Sequence, residues 1–127
     1  MLLNHVSIQC ADLPKSAAFY DAVLAPLGAA RVIEFPGTIG YGQSPMEPQF
    51  WIGEFNSGEG FRESHIAFTA ATHADVDAFY EAALATGVDS LHAPRLWPEY
   101  TPTYYGAFVR DPDGNNVEAV CMAPEAE

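Results

Sequence analysis

Three residues of this chain have types and positions suited to holding a divalent metal: His5, His65 and Glu118. In 4–10, His5, Ser7 and Gln9 alternate with Val6, Ile8 and Cys10, the two-residue period of a strand with one polar and one apolar face. The same phase returns in 65–69, where His65, Ala67 and Thr69 alternate with Ile66 and Phe68. Near the end, Asn116, Glu118 and Val120 oppose Val117, Ala119 and Cys121. If helices cover the apolar face of each sheet, both histidines and the carboxylate point the other way. Two imidazoles and one carboxylate suit a first-row divalent ion and leave positions open for water or substrate. A lone strand histidine more often serves structure alone; its recurrence at one phase in two strands is what raises the metal reading.

The elements that would position these residues come from an internal repeat. Shifted by 60, HVSIQCADLPKSAAFYDAVLA (5–25) lies over HIAFTAATHADVDAFYEAALA (65–85), with eight of twenty-one positions identical. An offset of 64 aligns the later parts loosely, through Tyr41/Tyr105, Gly42/Gly106, Pro48/Pro112 and Glu54/Glu118. Two modules of one design follow, about 1–57 and 62–123, within a single domain spanning 1–127 and with a seam near 56–63. Each reads strand, helix, then strands. Pro14 can open the first helix, because the first turn does not use its missing N–H. Thr72 with Asp75 resembles a capping box at the second. Phe19, Val23, Leu24 and Leu27 form one apolar stripe, and Val76, Phe79, Ala83 and Leu84 the other. Gly28 and Gly87 are placed as C-caps. Further strands are expected near 30–35, 38–43, 49–55, 89–92, 103–110 and 115–122, with a tight turn at Asp111-Pro112-Asp113-Gly114. The fold class is α+β, two βαβββ modules.

Composition narrows the partners. Five Lys and Arg stand against 17 Asp and Glu, a formal net charge of −12, and there is no basic cluster. Such a chain repels phosphate backbones and anionic lipid, so neither nucleic acid nor membrane is an expected partner. No apolar run approaches a membrane span and the N-terminus lacks a basic leader, so a cytoplasmic location is expected. Hydrophobic residues make up 49% and charged residues 17%, which suits a pocket or a subunit interface beyond the core. Cys10 and Cys121 fall on apolar faces and read as core thiols.

Aromatics crowd the second half. Trp97, Tyr100, Tyr104 and Tyr105, with Trp51 from the first module, could line a site for a planar or apolar small molecule, or could simply fill a core. Strand alternation allows only one of Tyr104 and Tyr105 to reach a cavity. The segment 93–102 (APRLWPEYTP) reads as a loop at the site's edge, and His73 and His92 read as exposed. Arg110 could hold a substrate carboxylate or pair with Asp111 or another surface acid.

The two modules, the histidine opening each, and the ending FVRDPDGNNVEAV (108–120) resemble the vicinal oxygen chelate superfamily, which includes glyoxalase I, extradiol dioxygenases, fosfomycin-resistance enzymes and bleomycin-resistance proteins. The resemblance implies a curved mixed-sheet cup. It matches His5, His65 and Glu118 to the family's metal ligands, for Ni, Zn, Mn or Fe. Glyoxalase-type members add a ligand from the first module's last strand; the internal repeat nominates Glu54, whereas an ungapped reading puts an apolar residue near Trp51 or Ile52 there. The implied chemistry is a metal-dependent lyase, isomerase or dioxygenase reaction, in which the metal takes two neighbouring substrate oxygens and Glu54 or Glu118 moves a proton. The bleomycin-resistance branch implies the alternative, a metal-free cup that sequesters a small molecule. The short 56–63 seam favours a homodimer, with His5 meeting His65 and Glu118 of the other chain.

Overall fold

The computed structural model describes residues 2–125. β1 (Val6–Cys10) leads into α1 (Leu13–Leu24), a single 3-10 turn (Ala25–Leu27), then β2 (Ala30–Phe35), β3 (Thr38–Gly42) and β4 (Phe50–Glu54). The pattern then repeats as β5 (His65–Thr69), α2 (His73–Ala85), β6 (Ser90–Leu96), β7 (Tyr105–Arg110) and β8 (Asn116–Cys121). Each module makes its own four-stranded mixed sheet, in the orders β1-β4-β3-β2 and β5-β8-β7-β6. The first and last strands of each module run parallel, and the remaining pairs are antiparallel. The architecture is the expected α+β pair of βαβββ units.

Local chemistry sets the helix ends. Asp12 caps α1 by accepting from the Lys15 N–H at 3.2 Å, with Pro14 in the first turn. Thr72 accepts from the Asp75 N–H at 3.0 Å and starts α2. Gly28, at φ 80°, closes the 3-10 turn in the left-handed region where a side chain would be strained. Phe19, Tyr20, Val23 and Leu24 of α1 and Val76, Phe79 and Ala83 of α2 join Ile8, Cys10, Phe50, Ile52, Val109, Val117 and Ala119 in one buried cluster. Burying each larger apolar chain stabilises the fold by about 2 kcal/mol. Leu84, assigned to the second apolar stripe by periodicity, remains 38% exposed in the last turn of α2.

The Asp111 turn ties the modules together. Asp111 is 3% exposed and accepts from the Tyr20 hydroxyl of α1 at 2.7 Å. It also accepts from the N–H groups of Asp113 and Asn115 at 2.9 Å and from the Asn115 amide at 3.0 Å. Asp113 in turn accepts from the Ala11 N–H at 2.9 Å and the Ser16 hydroxyl at 3.2 Å. The turn after β7 therefore grips the start of α1. β6 corrects the sequence reading, running to Leu96 where a loop was expected from residue 93. Pro94 is tolerated because β6 is an edge strand with register shifts between Ser90 and Arg95. No helix among the described residues is long and apolar enough to cross a membrane.

Candidate functional site

Register decides which side chains share a face. Ala67 on β5 pairs with Glu118 on β8, and Glu118 with Phe108 on β7. His65, Glu118 and Phe108 thus lie on the face turned away from the helices. There the His65 Nε2 is 2.8 Å from Oε1 of Glu118, a carboxylate only 1% exposed, while the imidazole side chain is half exposed. Tyr104 donates its phenol to the other oxygen, Oε2. Gly106 makes room for this pair, because a Cβ there would sit 3.1 Å from the Tyr104 ring and 3.3 Å from Oε2. Burial, then the hydrogen bond to Glu118, push the Tyr104 phenol well above its ordinary pKa. A buried carboxylate flanked by an imidazole and a phenol can accept and return a proton, and its Oε1 and the His65 Nε2 can share a metal.

An aromatic wall borders the pair. Phe108 packs near His65 (5.9 Å between centroids), His92 (5.5 Å) and Trp97 (5.2 Å). Trp97 stacks with Tyr100 at 5.7 Å and anchors itself through Nε1 to the Gly106 carbonyl at 3.0 Å. Tyr100 is 59% exposed and meets the Tyr104 ring edge-on at 5.1 Å. His92 is exposed, as the sequence reading has it, and its register opposite Phe108 also sets its ring edge-on against Phe108 and Trp97.

The first module's equivalent face carries different residues. His5 precedes β1, contacts Asn4 Oδ1 through Nδ1 at 2.8 Å and meets Trp51 edge-on with centroids 6.4 Å apart. Trp51 pairs with Ser7, stacks parallel to Phe35 at 6.2 Å and lies over Gly40, where a Cβ would come within 3.0 Å of the indole. A cavity of about 580 Å³ opens beside it, lined by Leu3, His5, Met46, Pro48 and Trp51 among others.

Several expected site residues stand elsewhere. Glu54 shares the phase of Phe50 and Ile52, on the helix side, and its carboxylate lies against Gly37 in the β2–β3 turn. It is not on the face of His5. Ser7 pairs with Trp51 and its repeat partner Ala67 with Glu118, so the register matches Glu118 to Trp51, an offset of 67, not 64. An odd slip of three residues moves a strand residue to the opposite face. Tyr105 donates to Asp77 of α2 at 2.7 Å and faces the helix, leaving Tyr104 as the tyrosine on the site. Burial and Asp77 raise its phenol to about 12. Arg110 is on the site face but is held by Glu63 and by the Gly114 carbonyl at 2.9 Å. His73 is half-buried, stacked flat on Tyr105 at 4.0 Å. Cys10 and Cys121 are buried as expected, and burial raises the Cys10 thiol to about 11. Among the described residues of one chain, no three His, Cys, Asp or Glu side chains gather closely enough to hold a metal.

The repeated sheets define a two-module α+β fold, and comparison with known proteins gives its family. The model of the Glyoxalase/Bleomycin resistance protein/Dioxygenase superfamily matches residues 2–119, so the chain belongs to that superfamily. A glyoxalase/bleomycin resistance protein from Albidiferax ferrireducens is similar at 30% identity, covering 95% of this chain and 99% of the other, with a TM-score of 0.84. Lactoylglutathione lyase from Agrobacterium tumefaciens shares the fold at 21% identity, covering 95% and 92%, with a TM-score of 0.67. A mutant of the fosfomycin resistance protein FosX from Listeria monocytogenes, bound to Mn(II) and 1S,2S-dihydroxypropylphosphonic acid, does so at 21% identity, covering 93% and 87%, with a TM-score of 0.67. A comparison with curated proteins returns no match.

Proposed function

We propose that the chain is one subunit of a homodimeric metal-dependent enzyme that binds a small organic substrate through two neighbouring oxygens, in a lyase, isomerase or dioxygenase type of reaction. The observation that carries this reading is the His65–Glu118 pair at 2.8 Å, on a sheet face that the chain's own helices leave open. His5 holds the equivalent phase in the first module without joining that pair inside one chain. His65 and Glu118 of one protomer and His5 of the other would hold a Ni, Zn, Mn or Fe ion, a donor set that suits such an ion. When bound, the ion supplies Lewis-acid polarisation of the substrate oxygens. Around it, Tyr104 fixes Oε2 of Glu118 and Oε1 would bind the ion, so Glu118 would take and return a substrate proton only with Oε1 released from the ion; Trp51 and Tyr100 would hold the substrate from either module. Exposed Leu2, Leu3 and Val6 around His5 support a covering partner (98%, 70% and 40% exposed).

A second reading has its own support. Both oxygens of Glu118 already have partners within the chain, and Trp51 stands where a second module-end carboxylate would be. These features fit a metal-free cup that sequesters its ligand.

Metal analysis of protein purified without a poly-His tag separates the two. The enzyme reading expects close to one ion per chain and a raised Tm on adding Ni, Zn, Mn or Fe. Stabilisation of about 2.7 kcal/mol is expected at a hundredfold excess over Kd. Refolding His5→Ala and Glu118→Ala chains together makes half the dimers mixed, and a shared site then recovers about a quarter of tight sites. Absence of both results leaves the metal-free reading.

A further inference from the structure

Among the described residues, a buried polar atom on the site face lacks a partner. Asn116 shares the phase of Glu118, since Val117, Ala119 and Cys121 of the same strand are in the core. Its side-chain Oδ1 is buried and accepts no hydrogen bond. A buried acceptor left in this state costs stability, so it calls for an explanation. Register gives Asn116 two neighbours in its row, Arg110 on β7 and His65 on β5. Arg110 is turned to Glu63 and to the Gly114 carbonyl at 2.9 Å, which leaves His65 as the side chain in that row able to offer a donor. The His65 ring uses Nε2 on Oε1 of Glu118, at 2.8 Å. A carboxylate only accepts, so in this bond the proton stands on Nε2 and Nδ1 is bare. A bare Nδ1 has nothing to give Oδ1, which accounts for the orphan.

We infer that Asn116 is a positioning residue for His65: its Oδ1 accepts the Nδ1–H that the imidazole carries once Nε2 is given to a metal. The inference rests on the metal-dependent reading of the His65–Glu118 pair. An imidazole coordinates through a bare nitrogen, so ligation at Nε2 puts the proton on Nδ1. That N–H then needs an acceptor, and such an acceptor fixes both the tautomer and the ring orientation of a ligating histidine. Asn116 supplies it from the adjacent strand, in direct register with His65. The amide oxygen is orphaned with the proton on Nε2 and satisfied with it on Nδ1, so Asn116 favours the metal-binding tautomer.

Calorimetric titration of the full chain with Zn(II) at pH 7, with melting curves of the metal-free proteins alongside, tests this. Asn116→Leu has no acceptor and nearly the same shape; it should bind zinc roughly ten- to a hundredfold more weakly than wild type. Because it also removes the orphan, its metal-free Tm should equal or exceed that of wild type. These opposite signs separate positioning from a packing role, which would lower both. Asn116→Asp keeps an acceptor at the same length and should bind zinc at least as tightly as wild type. Proton–nitrogen correlation spectra of the histidine rings, with His65 assigned by its loss in His65→Gln, should show the proton on Nε2 without zinc and on Nδ1 with it. The Nδ1 proton should exchange slowly in wild type and fast in Asn116→Leu. Unchanged zinc affinity in Asn116→Leu, a metal-free Tm clearly below wild type, or equally fast Nδ1 exchange in both proteins would each overturn the inference while the metal reading stands. Wild-type protein that binds no zinc overturns the inference as well, and if Ni, Mn and Fe also fail to bind, the metal reading falls with it.

Discussion

Across the middle strands of each sheet, Gly40 pairs with Trp51 in the first module while Phe108 pairs with Glu118 in the second. The aromatic ring has changed strands between the two copies. In the first module a bare glycine lets the indole lie flat on the sheet, so the face beside His5 is apolar. In the second the ring sits on β7, and the position matching Trp51 holds a buried carboxylate gripped by His65 and Tyr104. One backbone repeat thus carries a hydrophobic platform in one copy and a buried carboxylate hydrogen-bonded to an imidazole and a phenol in the other. The modules also differ in how they grip one another: the Asp111 turn of the second binds α1, whereas the corresponding 43–49 loop of the first carries no buried acid.

That asymmetric grip gives the largest expected effect. Asp111→Ala leaves the Tyr20 hydroxyl, two backbone N–H groups and the Asn115 amide without their buried acceptor, and should cost about 3–5 kcal/mol. Urea denaturation measures it, and a loss under about 1 kcal/mol would mean the turn does not couple the modules. Next comes the glycine that allows the platform. Gly40→Ala puts a Cβ 2.8 Å from Ile33 Cγ2 and 3.0 Å from the indole, both locked in a packed face. Overpacking of this kind costs about 1–3 kcal/mol, read as a lowered Tm. Gly106→Ala meets its nearest neighbours at longer range, 3.1 Å to the Tyr104 ring and 3.3 Å to Oε2 of Glu118, and should cost less.

Alternation made most of this legible in the sequence. His5, His65 and Glu118 alternate with the apolar Val6, Ile66 and Val117; Ile66 and Val117 pack in the core as that alternation implies, and Val6 shares their side through its register with Phe50. Both helices follow from their caps and apolar stripes. What escaped the sequence depended on partners that no local pattern reveals. Glu54 looked equivalent to Glu118 because a loose repeat cannot fix register to one residue, and an odd error exchanges the faces. Pro94 concealed the end of β6, since only its place at a sheet edge makes a proline acceptable. The pairing of Arg110 with Glu63, 47 positions away in sequence, and the stacking of His73 on Tyr105 are tertiary contacts between otherwise ordinary polar residues.

The comparison sharpens if the missing carboxylate is restored. Trp51→Glu places an acid at the position matching Glu118, on the face of His5. Under the metal reading it adds a fourth donor, so divalent-ion affinity should rise by about tenfold by calorimetry. Affinity for an aromatic probe should fall, because the platform is gone. Unchanged metal affinity would show that this face is never brought to a metal.

The smallest effect isolates the Tyr104–Glu118 contact, which the first module lacks. The Tyr104 phenol is raised above its ordinary value by burial and by its bond to the carboxylate, so the folded state holds this proton after the unfolded chain has begun to lose it. The sign follows: the contribution is fully present below about pH 10 and declines as pH rises from there towards the folded value. Tyr104→Phe removes the titrating group and one hydrogen bond, lowering stability by about 1 kcal/mol at pH 7. Between pH 9 and 11 its Tm should therefore fall less steeply than that of the wild type, and the two curves should converge. Tyr20 and Tyr41 are raised as well and are present in both proteins, so the difference between the curves, not either curve alone, belongs to Tyr104. Parallel curves would mean that the phenol does not hold the carboxylate in solution, and that Glu118 has its second oxygen free.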